Sequence, residues 1–467
     1  MRESAVTVDT QIKILVVDDS SVMRSMAVKF LKQIGYEDIV TAKDGLDALD
    51  KLQENVIDLV VSDWNMPRFD GLELLRWIRD DSGYCEVPFI MATAQGDKSQ
   101  TETIFNEGGA HITKPYTADE LKNKIIEVMT GESATDAPIQ RQIVDGKVVI
   151  RALHIQITDH LALGVLKNQI DNGQVTPQHF KLETFCKPGW NPVQQMIENG
   201  QADVAFILAP LAMDLFAFDV PIRMVALAHR CGSCFVRNMT YKTIGYESLP
   251  KFYKWKEIII PHKMSIHHVL AHKFLTELQL KPGLPEKFAP INVRFEVMPP
   301  IKMPDALAMD YVAGYIVAEP IGSKAIKQGL AELQALSSEL WADHPCCVVV
   351  MRQDFIDEHP EATQEFVTLL TQAGEYIHHH HTEAAQIAVP FLDPQQALGL
   401  TPEVIQSVLD QPNGIRHNDM YPSVDELESI QNYMHFQMNI GRLIKVEDFI
   451  DFRFIDQALK KTTDDTE

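Results

Sequence analysis

The stretch Ser62-Asp63-Trp64-Asn65-Met66-Pro67-Arg68-Phe69-Asp70-Gly71 and the apolar run before it, Ile57 to Val61, constrain this chain more than any other segment. An apolar run, an acidic residue, a turn bearing Pro and Gly, then a helical pattern (Leu72 to Ile78) is how an open α/β sheet presents a side chain at the carboxyl end of a buried parallel strand. Ligand and reaction sites lie at that edge. The residue presented is Asp63.

The pattern repeats around it. Lys13 to Val17 is an apolar run closed by Asp18 and Asp19, Ile39 to Ala42 is a second, Val87 to Ala92 closes on Thr93, and His111 to Lys114 closes on Lys114. Helical spacing follows at Met23 to Leu31, with Ser20 or Ser21 as cap, at Leu46 to Leu52 and at Ala118 to Met129. Five strand–helix units over residues 11–130 predict a doubly wound α/β sheet of flavodoxin-like order, in which strands one and three are neighbours. Asp18, Asp19 and Asp63 then meet at one sheet edge, where three carboxylates repel unless a cation intervenes. An all-oxygen site with room for water suits Mg²⁺. Thr93 adds a hydroxyl and Lys114 a fixed positive charge. Such a set positions and neutralises a transferring phosphoryl group, with Asp63 as its acceptor.

These residues resemble a response-regulator receiver domain, and Ser62 to Arg76 is especially similar to the single-domain chemotaxis regulators. The resemblance implies that Asp63 is the phosphoacceptor and that a sensor histidine kinase is its donor. It implies Mg²⁺ held by the side chains of Asp19 and Asp63, by Asp18 through water and by the main-chain carbonyl of Asn65. Thr93 and Lys114 would contact the phosphoryl oxygens, and the Lys114–Pro115 bond would be cis. Family members often carry Tyr or Phe three residues before the lysine as a rotating switch; here that position is His111, so Thr93 and His111 form the expected switch pair.

At 467 residues the chain needs two or three domains. Residues 131–147 are small and polar and read as a linker, and 148–467 as a two-lobed α/β domain. Strand-like runs recur there at Val148 to Ile157, Lys181 to Phe185, Asp203 to Leu208, Glu257 to Ile260, Val293 to Val297, Gly314 to Ala318 and Cys347 to Met351. Two lobes leave a cleft, the usual place for a small ligand. Ile157 to His160, Gly189 to Asn191, Ile197 to Asp203, Met298 to Pro304 and Ala313 to Pro320 resemble, in order, segments of the periplasmic substrate-binding proteins of importers for nitrate, bicarbonate and related anions. The resemblance implies a small anion in the cleft, with Asp159, His160, Trp190, Pro210 and Glu319 lining it. Trp190 and His160 would donate to the anion. Asp159 and Glu319 would repel it and so need a metal or orient donors; the bland roles are core packing for Trp190 and a helix cap for Asp159. Nitrate binders often have His where this chain has Phe206, which weighs against nitrate itself.

With 42 Lys plus Arg against 65 Asp plus Glu, the formal charge of −23 argues against direct nucleic-acid binding. The amino terminus lacks an apolar signal region, and the longest apolar stretch, Val204 to Met213, is too short to span a bilayer, so a cytoplasmic protein without membrane insertion is expected. The six cysteines read as reduced thiols, and Cys231-Gly-Ser-Cys234 as chance spacing. His378 to His381 read as a solvated helix face, and His262, His267, His268 and His272 as surface residues. Asp343-His344 has no placed nucleophile. The expectation is a two-component response regulator with a sensory or output domain, acting through a downstream regulatory protein and no enzyme beyond its Mg²⁺-assisted phosphoacceptor. The alternative is a ligand sensor that uses the receiver only for docking. A pyrimidine-precursor synthase of the shared binding-protein fold is disfavoured, because its cysteine-rich motif is absent.

Overall fold

In the first unit, apolar runs closed by polar residues become parallel strands. The computed structural model describes residues 12–464 apart from 81–82, 85–86, 94–103, 105–106, 115, 131–140, 188, 240–244, 285–289, 308–311, 395 and 397. The chain divides into two units, Met1–Pro138 and Ile139–Glu467.

Strands β1 (Ile14–Val17), β2 (Ile39–Ala42), β3 (Leu59–Asp63), β4 (Phe89–Thr93) and β5 (Ala110–Thr113) form one parallel sheet in the order β2-β1-β3-β4-β5. The strands are apolar on both faces because helices cover both. Ile14, Val16, Leu59, Val61 and Ile90 pack with Ala27, Leu31, Leu121 and Ile125, while Leu15, Val17, Val60, Phe89 and Met91 pack with Ala48, Leu52, Leu74 and Ile78. The chain leaves β1 for β2 and returns to β3 on the other side, so a switch point opens between β1 and β3.

Caps set where the helices begin. The Ser20 hydroxyl accepts from Met23 N at the start of helix Ser21–Ile34, which Gly35 ends at φ 114°. Asp70 and Glu73 each accept from the other's backbone N–H at 2.8 Å, a reciprocal box that starts helix Gly71–Asp80. Gly71 is required there: a Cβ would lie 2.1 Å from the carbonyl oxygen of Asp63.

The second unit contains two sheets. One comprises β6 (Ile143–Val144), β7 (Lys147–Ile155), β8 (Phe180–Lys187), β9 (Val204–Leu208), β10 (Ile222–Leu227) and β17 (Cys347–Arg352), in the order β10-β17-β9-β7-β6 with β8 also paired to β7. The other comprises β11 (Ser233–Asn238), β12 (Glu257–Ile260), β13 (Pro282–Gly283), β14 (Val293–Val297), β15 (Val312–Ala318) and β16 (Ala331–Leu336), in the order β13-β14-β12-β15-β11-β16. Residues 228–232 cross from the first sheet to the second and 337–346 cross back. Helices after β17 return to both lobes: Pro360–His379 packs on Leu161–Asp171, and Val424–Gln437 packs on Ile266–Glu277. One apolar cluster runs through both sheets.

Three features differ from the sequence reading. Asp145 and Gly146, at φ 54° and 77°, turn β6 back onto β7, so residues 143–147 of the expected connector belong to the sheet; residues 131–140 lie outside the described residues. Strands β10, β11, β13 and β16 were not anticipated. The third correction concerns His262, His267 and His268, which are buried rather than on the surface. His262 lies in the loop before helix Ile266–Glu277, where its Nδ1 accepts from Met264 N at 2.9 Å. The helix carrying His267 and His268 is packed on several sides, with Ser233 Oγ 2.9 Å from His267 and the Lys263 carbonyl 2.8 Å from His268. His378, His379 and His380 are exposed, as read.

Candidate functional site

In the receiver unit, the sheet brings its polar strand ends together. Asp18 follows β1, and Asp63 and Thr93 end β3 and β4. Lys114 follows β5, its backbone N–H donating to the Thr93 carbonyl at 2.6 Å. Carboxylate oxygens of Asp18, Asp19 and Asp63 lie within 4.8 Å of one another. Asp18 is buried, Asp63 half-buried and Asp19 exposed. The Lys114 ammonium spans two of them, 2.5 Å from Asp18 and 2.8 Å from Asp63. Asp18 is further fixed by the Ser20 N–H, 2.9 Å from its carboxylate, and by Arg24, 2.5 Å from its carbonyl.

Burial raises the Asp63 carboxyl above the usual range against the pull of Lys114, and Asp18 and Asp19 push in the same direction as burial. The centre is therefore short of positive charge. The Thr93 hydroxyl is buried and has no hydrogen-bond partner among the described residues, as expected of a group whose acceptor arrives with a ligand. Asn65 lies exposed on the loop after β3. His111 is half-buried on β5, and burial, then Lys124, bring its pKa down to about 4, so the ring is neutral near pH 7. Tyr116, which sequence reasoning passed over, is buried near the acids with its phenol pushed up to about 12, mainly by burial. The Lys114–Pro115 bond lies outside the described residues.

In the second unit, Asp159 and His160 occupy the turn Thr158–His160 soon after β7, and both are fully buried. Trp190 opens helix Trp190–Glu198, and its ring stands edge-on to His160 at 5.8 Å. His160 Nδ1 accepts from the Ile155 N–H at 3.1 Å, and burial with neighbouring imidazoles holds its pKa well below the ordinary value. The neutral ring therefore carries its proton on Nε2, and that N–H, like the Trp190 indole N–H, finds no acceptor among the described residues. Phe206 packs edge-on to the same imidazole at 5.6 Å.

The other two expected cleft residues are differently engaged. Glu319 is buried, and its carboxylate accepts from Ser323 N at 2.9 Å and Ser323 Oγ at 2.8 Å, which caps helix Ile321–Lys327. It also borders a cavity of about 210 Å³ with Ser233, Ser337 and Gln411. Pro210 is buried in the first turn of helix Ala209–Ala217, and its side chain offers no polar atom.

Residues that sequence reasoning missed converge on Asp159. Its Oδ2 lies 2.9 Å from His229 Nε2, 3.6 Å from Cys347 Sγ and 3.7 Å from Cys346 Sγ. Burial opposes charge on His229, yet Asp159 outweighs it and raises the imidazole to about 10. Only part of the signal that found Asp63 was available: His229 follows the apolar run Ile222–Leu227, whereas Cys347 opens Cys347–Arg352 and Cys346 precedes it.

Comparison with known proteins divides the chain at the same place. A family model described as response regulator receiver domain matches residues 14–126, and one described as NMT1-like family matches residues 155–392, just over half of the chain. Chemotaxis protein CheY1 of Helicobacter pylori is 42% identical over 121 residues, 26% of this chain and 97% of that protein. The CheY homolog of Campylobacter jejuni is 38% identical over 129 residues, covering 27% of this chain and 99% of that protein.

Among solved structures, the periplasmic nitrate-binding protein NrtA from Synechocystis PCC 6803 matches at a TM-score of 0.57 and 16% identity, covering 68% of this chain and 89% of that one. The ligand-binding component of an ABC-type import system from Staphylococcus aureus, with zinc bound, matches at 0.56 and 22% identity, covering 66% and 98%. These two likenesses establish the fold. Fold and pocket together define a response-regulator receiver joined to a two-lobed unit of the periplasmic-binding-protein kind. The chain belongs to the NMT1-like family and carries a response regulator receiver domain ahead of that region. No helix among the described residues is long and apolar enough to cross a membrane.

Proposed function

We propose that this protein is a response regulator whose Asp63 accepts a phosphoryl group from a sensor histidine kinase, and whose second unit is a small-oxyanion sensor or output module. The observation that carries the receiver half is the Lys114 ammonium spanning Asp18 and Asp63, beside a buried Thr93 hydroxyl with no partner among the described residues. In the transfer, a carboxylate oxygen of Asp63 bonds to phosphorus as the P–N bond to the donor imidazole breaks. Lys114 stays within reach of the equatorial oxygens, and Thr93 donates its hydroxyl to one of them.

Asp18, Asp19 and Asp63, with the Asn65 carbonyl, would hold Mg²⁺, which neutralises negative charge on the transferring group. The excess of carboxylates over cations at this pocket fits such an ion. Thr93 and the neutral His111 are the switch pair, and a downstream regulatory protein reads the change at β5 and helix Ala118–Thr130.

For the second unit, the proposal rests on the two acceptorless N–H donors of His160 and Trp190. NrtA binds nitrate, and an oxygen of a small oxyanion would satisfy both donors here. Ligand binding and phosphorylation are then linked reciprocally.

Intact-mass spectrometry with acetyl phosphate and Mg²⁺ tests the first half. Wild-type protein gains one phosphoryl group, EDTA prevents it, and Asp63→Asn never gains it. Wild-type protein that stays unmodified at saturating donor and Mg²⁺ overturns the reading.

A further inference from the structure

We propose that Asp159, His229, Cys346 and Cys347 hold a divalent transition-metal ion, zinc first among candidates, at the place where the two lobe crossovers meet the end of β7. This site is separate from the receiver pocket and stands whether or not Asp63 is phosphorylated.

One ligand atom from each residue lies within 4.8 Å of every other. Around a tetrahedral zinc, with bonds of about 2.0 Å to oxygen and nitrogen and about 2.3 Å to sulfur, neighbouring ligand atoms are about 3.3–3.8 Å apart. The sulfur-to-carboxylate distances of 3.6 and 3.7 Å are edges of that size, and the imidazole-to-carboxylate edge of 2.9 Å is a slight contraction of it. Each of the four residues is 0% exposed.

Polar atoms in the cluster are left over. Asp159 Oδ1 and His229 Nδ1, the second polar atom of each side chain, are buried with no hydrogen-bond partner among the described residues. His229 Nε2 faces the Asp159 carboxylate at 2.9 Å and the Cys347 N–H at 3.2 Å. Protonated, that nitrogen satisfies the carboxylate and confronts an N–H. Unprotonated, it accepts the N–H and sets a lone pair against a negative oxygen. A cation between imidazole and carboxylate takes up the single Nε2 lone pair and an Oδ2 lone pair together, in place of the Cys347 N–H.

The backbone explains how adjacent cysteines share one target. Consecutive strand residues point to opposite faces. Cys347 is the first residue of β17, whereas Cys346 is the last residue of the crossover. The break in regular strand geometry between them lets both sulfurs approach Asp159 Oδ2. His229 comes from the other crossover, 228–232, and Asp159 from the turn after β7.

Two sulfurs, one imidazole and one carboxylate select a borderline or soft ion and disfavour Mg²⁺ and Ca²⁺, which take oxygen. Four protein ligands fill a tetrahedral shell and leave no open position, the mark of a structural site. An ion here ties both crossovers to the first lobe.

The test uses the full-length chain, purified with reductant and without chelator, loaded with zinc alone, desalted and assayed by elemental mass spectrometry. Wild-type protein retains one equivalent. Cys346→Ser lowers affinity at least about 10-fold, and Cys346→Ser/Cys347→Ser falls to background while keeping its circular dichroism spectrum. The exposed Cys186→Ser and the receiver variant Asp63→Asn retain the full equivalent, which separates this site from the Mg²⁺ pocket. Cobalt loaded into wild-type protein gives a thiolate-to-metal charge-transfer band that weakens in either single cysteine variant, a readout available even if the double variant misfolds. Folded wild-type protein that retains no zinc and shows no such band overturns the proposal. So does undiminished zinc in the double variant, or a Cys346–Cys347 disulfide found by peptide mass in the reduced, metal-loaded protein.

Discussion

The receiver unit gathers three carboxylates and a lysine at an open sheet edge, whereas the second unit seals one carboxylate with an imidazole and two thiols where its lobes join. Both centres begin the same way, with an acid at or just beyond the carboxyl end of a parallel strand. They diverge in what surrounds that acid. Asp19 is exposed, so the receiver pocket is open to solvent. Asp159 is fully buried, so whatever it holds is exchanged only when the crossovers move. Hard oxygen donors in reach of water suit a reaction that must reverse; soft donors out of reach suit a fastening.

Substitutions at matched positions sharpen this contrast. Each variant is followed by the unfolding transition of its own unit. The largest effect is expected from Asp159→Ala in protein stripped of metal, where it leaves His229 without its buried counter-charge and costs the second unit about 3–5 kcal/mol, read by denaturant titration. Lys114→Ala should cost the receiver about 3 kcal/mol at pH 8 without Mg²⁺, since Asp18 and Asp63 lose the ammonium between them. Added Mg²⁺ should restore most of that loss, and a loss unchanged by Mg²⁺ would count against a cation site.

A pH effect comes next. Burial and Lys124 depress His111 from 6.5 to about 4, so as pH falls below 6.5 the unfolded chain takes the proton first. Receiver stability should then drop by up to about 3 kcal/mol between pH 6.5 and 4 and change no further below that from this group, by the 1.36 kcal/mol carried per pKa unit. His111→Phe should remove this slope. Gly71→Ala forces a methyl group against the Asp63 carbonyl, and should cost about 2 kcal/mol and slow phosphorylation with Lys114 still in place.

The smallest effect has the opposite sign. The Asp63 carboxyl is raised by burial, so its ionised form weighs against folding. Its stabilising share is present below the unfolded carboxylate pKa and lost as pH rises through the folded one. Asp63→Asn should therefore raise the receiver's melting temperature slightly at pH 7 without Mg²⁺, a gain that disappears in acid. Asp159→Ala destabilising and Asp63→Asn stabilising is the comparison in its sharpest form; the same sign for both would break it.

Legibility differed between the units for a physical reason. Asp18, Asp19, Asp63, Thr93 and Lys114 each close a short apolar run, and a parallel sheet with one switch point leaves little choice about where they meet. In the second unit, Glu257–Ile260 and Cys347–Arg352 are equally plain as apolar runs. Ala331–Leu336 alternates polar and apolar residues at a sheet edge, and Ser233–Asn238 mixes Arg and Asn into a buried strand, so neither stands out by apolar pattern. His267 and His268 read as surface because imidazole is polar; an enclosing fold with partners at hand made them interior.

The sequence by itself determined the receiver's sheet, its acidic edge and the presence of a two-lobed binding-protein unit, because local periodicity and strand-end chemistry carry that information over a few residues at a time. Only the tertiary structure decided that Asp159 meets His229, Cys346 and Cys347. Those residues come from one strand end and two separate crossovers, and no local pattern encodes the packing that closes two lobes around a shared polar core.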